Sequence, residues 1–224
     1  MVIDMLSLYS GTPGSGKSLH VAERIYIRGR RKLLTIGNFE INKKAIKKKG
    51  YKKIPYIYLE NSEITPEKLI EISQDYFAKK NKPIKEDEIL LVLDEAQIIF
   101  NARNWQQVGR DKWLSFFTQH RKYGYEIVLI AQFDGMIDKQ IRSLIEYQFI
   151  HRKVSNFGII GKLMAIFALG KLFVAVQIWY PLGERIGSEM FVARKKYYSI
   201  YNTFADFGTA ADLKKALPDK TESA

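Results

Sequence analysis

The sequence predicts an α/β fold, a mostly parallel sheet flanked by helices, with a small C-terminal appendage. Three observations carry this expectation. An alternating stretch over 3–9 meets a Gly/Pro/Ser cluster and then apolar positions at helical spacing over 18–27, which reads as strand, loop and helix. The continuous apolar run Ile89-Leu90-Leu91-Val92-Leu93, and a second buried stretch over 126–131 that is apolar after Glu126, have the length of parallel strands covered on both faces. Segments of helical period alternate with these strands, which is the order of a parallel sheet.

The elements follow in turn. After the first helix comes a short strand over 32–36. Residues 38–53 hold Lys43, Lys44, Lys47, Lys48, Lys49, Lys52 and Lys53 among few apolar residues and therefore read as surface, either a solvated face or a track for the phosphates of single-stranded DNA or anionic lipid. Residues 54–59 have strand character, and Thr65-Pro66-Glu67-Lys68 supplies an N-cap and a first-turn proline for a helix ending near Lys80. Beyond the strand at 89–93, residues 111–123 read as a helix closed by Gly124, 126–131 as a strand, 136–145 as a helix and 147–153 as the last strand. Past Asn156 glycines and Pro181 break the chain into short apolar stretches. Residues 1–153 are thus expected to form the core, 154–205 an appendage of the same domain, and 206–224 a flexible tail.

Composition sets the outer bounds. A chain of 224 residues, 46% hydrophobic and 27% charged, is that of one globular α/β domain. Its net charge of +12 favours a polyanionic partner, either nucleic acid or an anionic membrane surface. With no cysteine, disulfides, thiolate chemistry and cysteine-ligated zinc are excluded, and His20, His120 and His151 form no close-spaced ligand motif. The start reads as a strand rather than a signal peptide. The best membrane candidate, 157–180, is interrupted by Lys162 and Lys171, and its longest uncharged stretch, 172–183, falls short of the ~20 apolar residues a spanning helix needs, so no spanning helix is expected.

The run Gly11-Thr12-Pro13-Gly14-Ser15-Gly16-Lys17-Ser18 fits G-x-x-x-x-G-K-[ST] and lies between a strand and a helix, as its mechanism requires. Its glycines let backbone N–H groups converge on phosphate oxygens; Lys17 reaches the terminal phosphates and the Ser18 hydroxyl ligates magnesium. With Leu19 in the following turn, these residues form the expected nucleotide site. The strand over 89–93 delivers Asp94 and Glu95 to the crevice, Asp94 as the outer partner of magnesium and Glu95 to polarise an attacking water, a role suited to a carboxylate with restricted solvation. The alternative for this pair is capping of the next helix. Gln132 ends the next strand, where an amide could contact the γ-phosphate; a plain polar strand end is the other reading. Lys17, Asp94, Glu95 and Gln132 are the catalytic candidates, and Ser18 and Asp94 the metal ligands. An extra strand beside the aspartate strand, with glutamate after the aspartate, points to the RecA-like, additional-strand branch of P-loop NTPases. No Asn-Lys-x-Asp signature supports guanine, so ATP with Mg2+ is expected. Arg103, Arg110, Arg121, Arg142 and Arg152 are arginine-finger candidates, each with surface pairing as the commoner role. Trp105 and Trp113 read as packing residues, and Tyr51, Tyr56 and Tyr58 as either sheet-edge packing or stacking platforms beside the lysines.

The phosphate loop, Leu91-Val92-Leu93-Asp94-Glu95-Ala96-Gln97, Phe117-Thr118-Gln119-His120-Arg121-Lys122-Tyr123-Gly124 and Leu129-Ile130-Ala131-Gln132 together resemble the zonular occludens toxin (Zot) domain family over about 1–153. Tyr197-Tyr198-Ser199-Ile200-Tyr201 is similar to the family's terminal tyrosine signature. The resemblance implies an ATP-hydrolysing motor for assembly and export of filamentous phage particles or their single-stranded DNA. It further implies a homo-oligomer at the cytoplasmic face of the host inner membrane, or in the cytoplasm with a membrane-protein partner. Family members usually continue into a spanning helix; without one, docking through 172–180 is an option. A DNA-translocating or packaging ATPase and a nucleotide-gated, membrane-associated scaffold are the rival readings.

Overall fold

In the computed structural model, residues 6–46, 54–102, 109–156 and 172–200 are described. The strands are β1 (Leu6–Ser10), β2 (Leu34–Gly37), β3 (Tyr56–Tyr58), β4 (Ile89–Leu93), β5 (Tyr125–Ile130), β6 (Tyr147–Lys153), β7 (Leu172–Trp179) and β8 (Glu184–Val192). The helices are α1 (Lys17–Arg30), α2 (Lys43–Ile46), α3 (Pro66–Lys80), α4 (Arg110–Gln119), α5 (Lys139–Arg142) and α6 (Lys195–Tyr198). One sheet joins the strands in the order β3-β2-β4-β5-β1-β6-β7-β8. The first six run parallel, and β7 and β8 continue the sheet antiparallel to β6 and to each other.

Both faces of the parallel strands are covered, which is why β4, and β5 after Glu126, are apolar without alternation. Leu91, Leu93, Ile127 and Leu129 pack towards α3, α4 and α5 with Leu69, Phe77, Phe116, Phe117 and Ile141. Leu90, Val92, Val128 and Ile130 pack on the other face with Leu19, Ala22 and Ile25 of α1 and Tyr197 of α6. α3 starts as its sequence dictates: the Thr65 hydroxyl accepts from the Lys68 N–H at 3.2 Å and Pro66 occupies the first turn. Gly124, at φ 73, closes the 3-10 turn His120–Tyr123 that extends α4. Trp113 is buried edge-on against Phe100 and stacked on Phe117, a core residue.

Two expectations are corrected. The helix over 136–145 shrinks to Lys139–Arg142, because Ile137 is extended (φ −91, ψ 143) and bridges Asn101, and Asp138 then caps a new start by accepting from the Gln140 N–H at 2.9 Å. Residues 172–180 are no free docking segment: β7 lies inside the sheet, with Phe173, Val174 and Ala175 buried. Lys47, Lys48, Lys49, Tyr51, Lys52, Lys53, Arg103, Trp105, Tyr201 and residues 206–224 lie outside the described residues. Among the described residues no helix is long and apolar enough to cross a membrane.

Candidate nucleotide site

β4, β5 and β1 are neighbours and parallel, so their C-terminal ends open on one edge of the sheet. That edge is where parallel α/β sheets bind ligands. The chain leaves β1 into the glycine-rich loop, β4 into Asp94 and Glu95, and β5 into Ala131 and Gln132. Backbone bonds register the first and third of these exits: Ala131 N–H donates to the Tyr9 carbonyl at 3.0 Å, and Gly11 N–H to the Gln132 carbonyl at 3.1 Å. The Gln132 side chain is half-buried beside them.

The loop needs its glycines. Gly11, Gly14 and Gly16 stand at φ 138, 73 and 100, in the region that favours glycine. A Cβ on Gly11 would lie 2.5 Å from the His151 carbonyl oxygen, and one on Gly16 would lie 2.7 Å from the Phe173 ring. α1 begins directly at Lys17, so its first-turn N–H groups and positive end face the loop. The Ser15 hydroxyl is buried with no hydrogen-bond partner among the described residues, as suits a group meant for a phosphate oxygen. Lys17 Nζ donates to the carbonyls of Gly11 at 2.5 Å and Thr12 at 3.3 Å.

Burial lowers the Lys17 pKa from the ordinary lysine value, and the charges of Glu95 and Asp94 work against that shift. Lys17 heads α1 after the loop that follows β1, and Asp94 and Glu95 follow β4, so the three stand on the one edge where these strands end. The donor set of backbone N–H groups, the Lys17 ammonium, the Ser18 hydroxyl and the Asp94 carboxylate fits a triphosphate with a hard divalent cation.

The acidic turn is held by Asn38, one residue past β2, which carries no motif. Asp94 N–H donates to Asn38 Oδ1 at 2.7 Å, and Asn38 Nδ2 donates to the Asp94 carbonyl at 2.8 Å and to Asn61 Oδ1 at 2.8 Å. Glu95 N–H in turn donates to Asp94 Oδ1 at 2.9 Å. Glu95 takes a left-handed conformation (φ 47, ψ 48), and its carboxylate accepts from the Gln97 amide. Contrary to the expectation of restricted solvation, Glu95 is exposed, because the turn lifts it off the end of β4.

Behind the loop lies a second feature missed from sequence. His20 Nδ1 and His151 Nε2 are 2.9 Å apart and both rings are buried, His20 stacked between Tyr9 and Phe191. Burial first, and then the neighbouring His151 and Arg24, hold His20 well below the ordinary histidine value; burial brings His151 to about 4. Both are therefore neutral packing groups at neutral pH. Farther along α1, Arg24 and Arg28 converge on the buried Glu126 carboxylate, Arg28 at 3.2 Å, and Arg24 also donates to Tyr9 Oη at 2.9 Å. Burial alone would depress both guanidiniums; Tyr9 and Glu126 carry Arg24 above its ordinary value, whereas at Arg28 burial prevails. Of the arginine-finger candidates, Arg110, Arg121 and Arg142 pair within the chain with Asp138, Glu146 and Asp134.

Residues 5–202 match the family described as "Zonular occludens toxin (Zot)". The chain belongs to the Zot family. Two "Gene 1 protein" sequences are among the relatives of this Zot-family chain. That of Escherichia phage If1 is 34% identical over 137 residues, 59% of this chain and 37% of the relative. That of Enterobacteria phage I2-2 is 36% identical over 86 residues, 37% of this chain and 24% of the relative. The chain thus spans well under two thirds of the length of these relatives. Among solved structures, the N-terminal domain of zonular occludens toxin from Neisseria meningitidis superposes with a TM-score of 0.54 at 18% identity, covering 90% of this chain and 100% of that one. The genome packaging NTPase B204 from Sulfolobus turreted icosahedral virus 2, in complex with ATP-gammaS, gives 0.52 at 16% identity, covering 87% and 100%. At these identities the likeness is one of fold, and the fold of this Zot-family chain is that of a P-loop NTPase.

Proposed function

We propose that the chain binds ATP with magnesium at Gly11, Thr12, Pro13, Gly14, Ser15, Gly16, Lys17, Ser18 and Leu19 and hydrolyses it to drive assembly and export of filamentous phage particles or their single-stranded DNA. The observation that carries the hydrolytic reading is the placement of Asp94 and Glu95 at the end of β4, on the same sheet edge as the loop that follows β1. Lys17 and the loop N–H groups hold the phosphates, and Ser18 and Asp94 hold the cation. Bound there, magnesium offsets the charge on the phosphate oxygens. Glu95 orients and takes a proton from the attacking water, and Gln132 contacts the γ-phosphate from the end of β5.

Membership of the Zot family and the phage relatives support the export reading, with the chain acting in a homo-oligomer at the cytoplasmic face of the host inner membrane. The net charge of +12 supports a nucleic-acid or nucleoprotein cargo. The test is complementation of a phage lacking the corresponding gene. Wild type should restore particle release, and Glu95→Gln should bind ATP yet release none; normal release with Glu95→Gln would refute a motor.

A further inference from the structure

We infer that Asn38 is a positioning residue for ATP hydrolysis, fixing the Asp94–Glu95 turn through the main chain of Asp94; the inference rests on the hydrolytic reading above. The parallel ladder between β2 and β4 runs up to Gly37 opposite Val92. One residue farther, the Asn38 carboxamide takes over from the ladder. Its oxygen accepts the Asp94 N–H and its nitrogen donates to the Asp94 carbonyl, at 2.7 and 2.8 Å. A carboxamide suits this place because it presents an acceptor and a donor side by side, as a peptide group does.

The Asp94 main chain decides which way the amide points, and one N–H of Asn38 remains. It donates to Asn61 Oδ1 at 2.8 Å, whereas a reversed amide would set N–H against N–H and oxygen against oxygen at the two contacts with the Asp94 main chain. Asn61 is exposed, in the connection between β3 and α3. The turn held in this way needs holding: Glu95 is left-handed, a conformation that a residue with a side chain keeps only where its surroundings impose it. Among the described residues no hydrogen bond joins Asn38 to residues 11–18, so its loss acts on turnover rather than on nucleotide binding.

The experiment measures single-turnover ATP hydrolysis and the Kd for a non-hydrolysable ATP analogue on the full chain. The proteins are wild type, Asn38→Asp, Asn38→Ala and Asn61→Ala. Asn38→Asp keeps the size but turns the donor into an acceptor. It and Asn38→Ala should slow hydrolysis by about ten- to a hundredfold while Kd stays within about twofold. Asn61→Ala, an exposed change that cannot unfold the domain, should slow it less, with Kd again kept. In a Glu95→Gln background Asn38→Ala should add little, because both act on one step. Unaltered turnover in the Asn38 variants beside an active wild type overturns this inference alone, as does an equal loss of affinity and rate. A wild type that binds ATP without turning it over overturns the hydrolytic reading and this inference with it.

Discussion

Alanine substituted in turn at Gly14, Gly16 and Gly11 should cost increasing stability in that order. The three positions share a positive φ but differ in what a methyl group would meet. At Gly14 (φ 73) nothing lies within 4 Å, so only the left-handed backbone is penalised, about 1–2 kcal/mol. At Gly16 (φ 100) the methyl would also stand 2.7 Å from the Phe173 ring, which is buried and stacked on Phe191 and so has little room to yield. Overpacking of that kind adds about 1–3 kcal/mol, for a total of about 2–5. At Gly11 the obstacle is the His151 carbonyl at 2.5 Å, main chain fixed in β6, with Ser15 Oγ at 2.8 Å behind it. No rotamer relieves it, so Gly11→Ala should exceed Gly16→Ala. Urea unfolding without nucleotide reads the order directly. Shrinking Phe173 to leucine should recover part of the Gly16→Ala loss and none of the Gly11→Ala loss. Equal costs at Gly14 and Gly11, or rescue of Gly11→Ala by the Phe173 change, would refute the packing described for the loop.

Glu126→Ala should destabilise the fold by about 3–5 kcal/mol, because Arg24 and Arg28 would keep their charges with side chains only 22% and 11% exposed and no carboxylate between them. A loss below about 1 kcal/mol in urea unfolding would show that the two guanidiniums find water instead. Acid should weaken the fold through the histidine pair. His151 Nδ1 faces the carbonyl oxygens of Phe149 at 3.0 Å and Ser10 at 3.3 Å, so it carries the proton and Nε2 accepts from His20. With folded pKa values below the ordinary 6.5, the unfolded chain binds more protons, and stability falls as pH drops from 6.5 towards about 4. The slope is up to about 1.4 kcal/mol per pH unit for each histidine. His20→Asn should flatten it. Asp87, raised by burial to about 6, acts in the opposite sense but is common to both proteins. An unchanged slope would place the acid sensitivity elsewhere.

What could be read from the sequence follows from how local each signal is. β4 and β6 lie at the bounds expected, and Thr65 and Pro66 set the start of α3, because apolar runs and caps act within a few residues. The places of the loop, Asp94 and Glu95 at strand ends could be read for the same reason, and the sheet only had to bring those ends to one edge. The helix expected over 136–145 is shorter in the structure because Ile137, buried and apolar, satisfies the helical pattern while its backbone is extended. β8 gave no period, since Glu184, Arg185 and Glu189 mix with Ile186, Met190 and Val192 on an edge strand that is largely exposed. Asn38 and Phe173 carry no motif. Their importance comes from β2 lying beside β4 and from β7 joining the sheet next to β6, pairings between segments distant in sequence.

The central claim, that Lys17, Asp94 and Glu95 form one hydrolytic site, is tested most directly by ATP turnover and nucleotide binding measured together, with and without magnesium. Wild type should hydrolyse ATP only with the divalent cation. Lys17→Ala should lose binding and turnover, and Glu95→Gln should keep binding while turnover falls by about a hundredfold or more. Full turnover in Lys17→Ala, or wild-type turnover in Glu95→Gln, would contradict it.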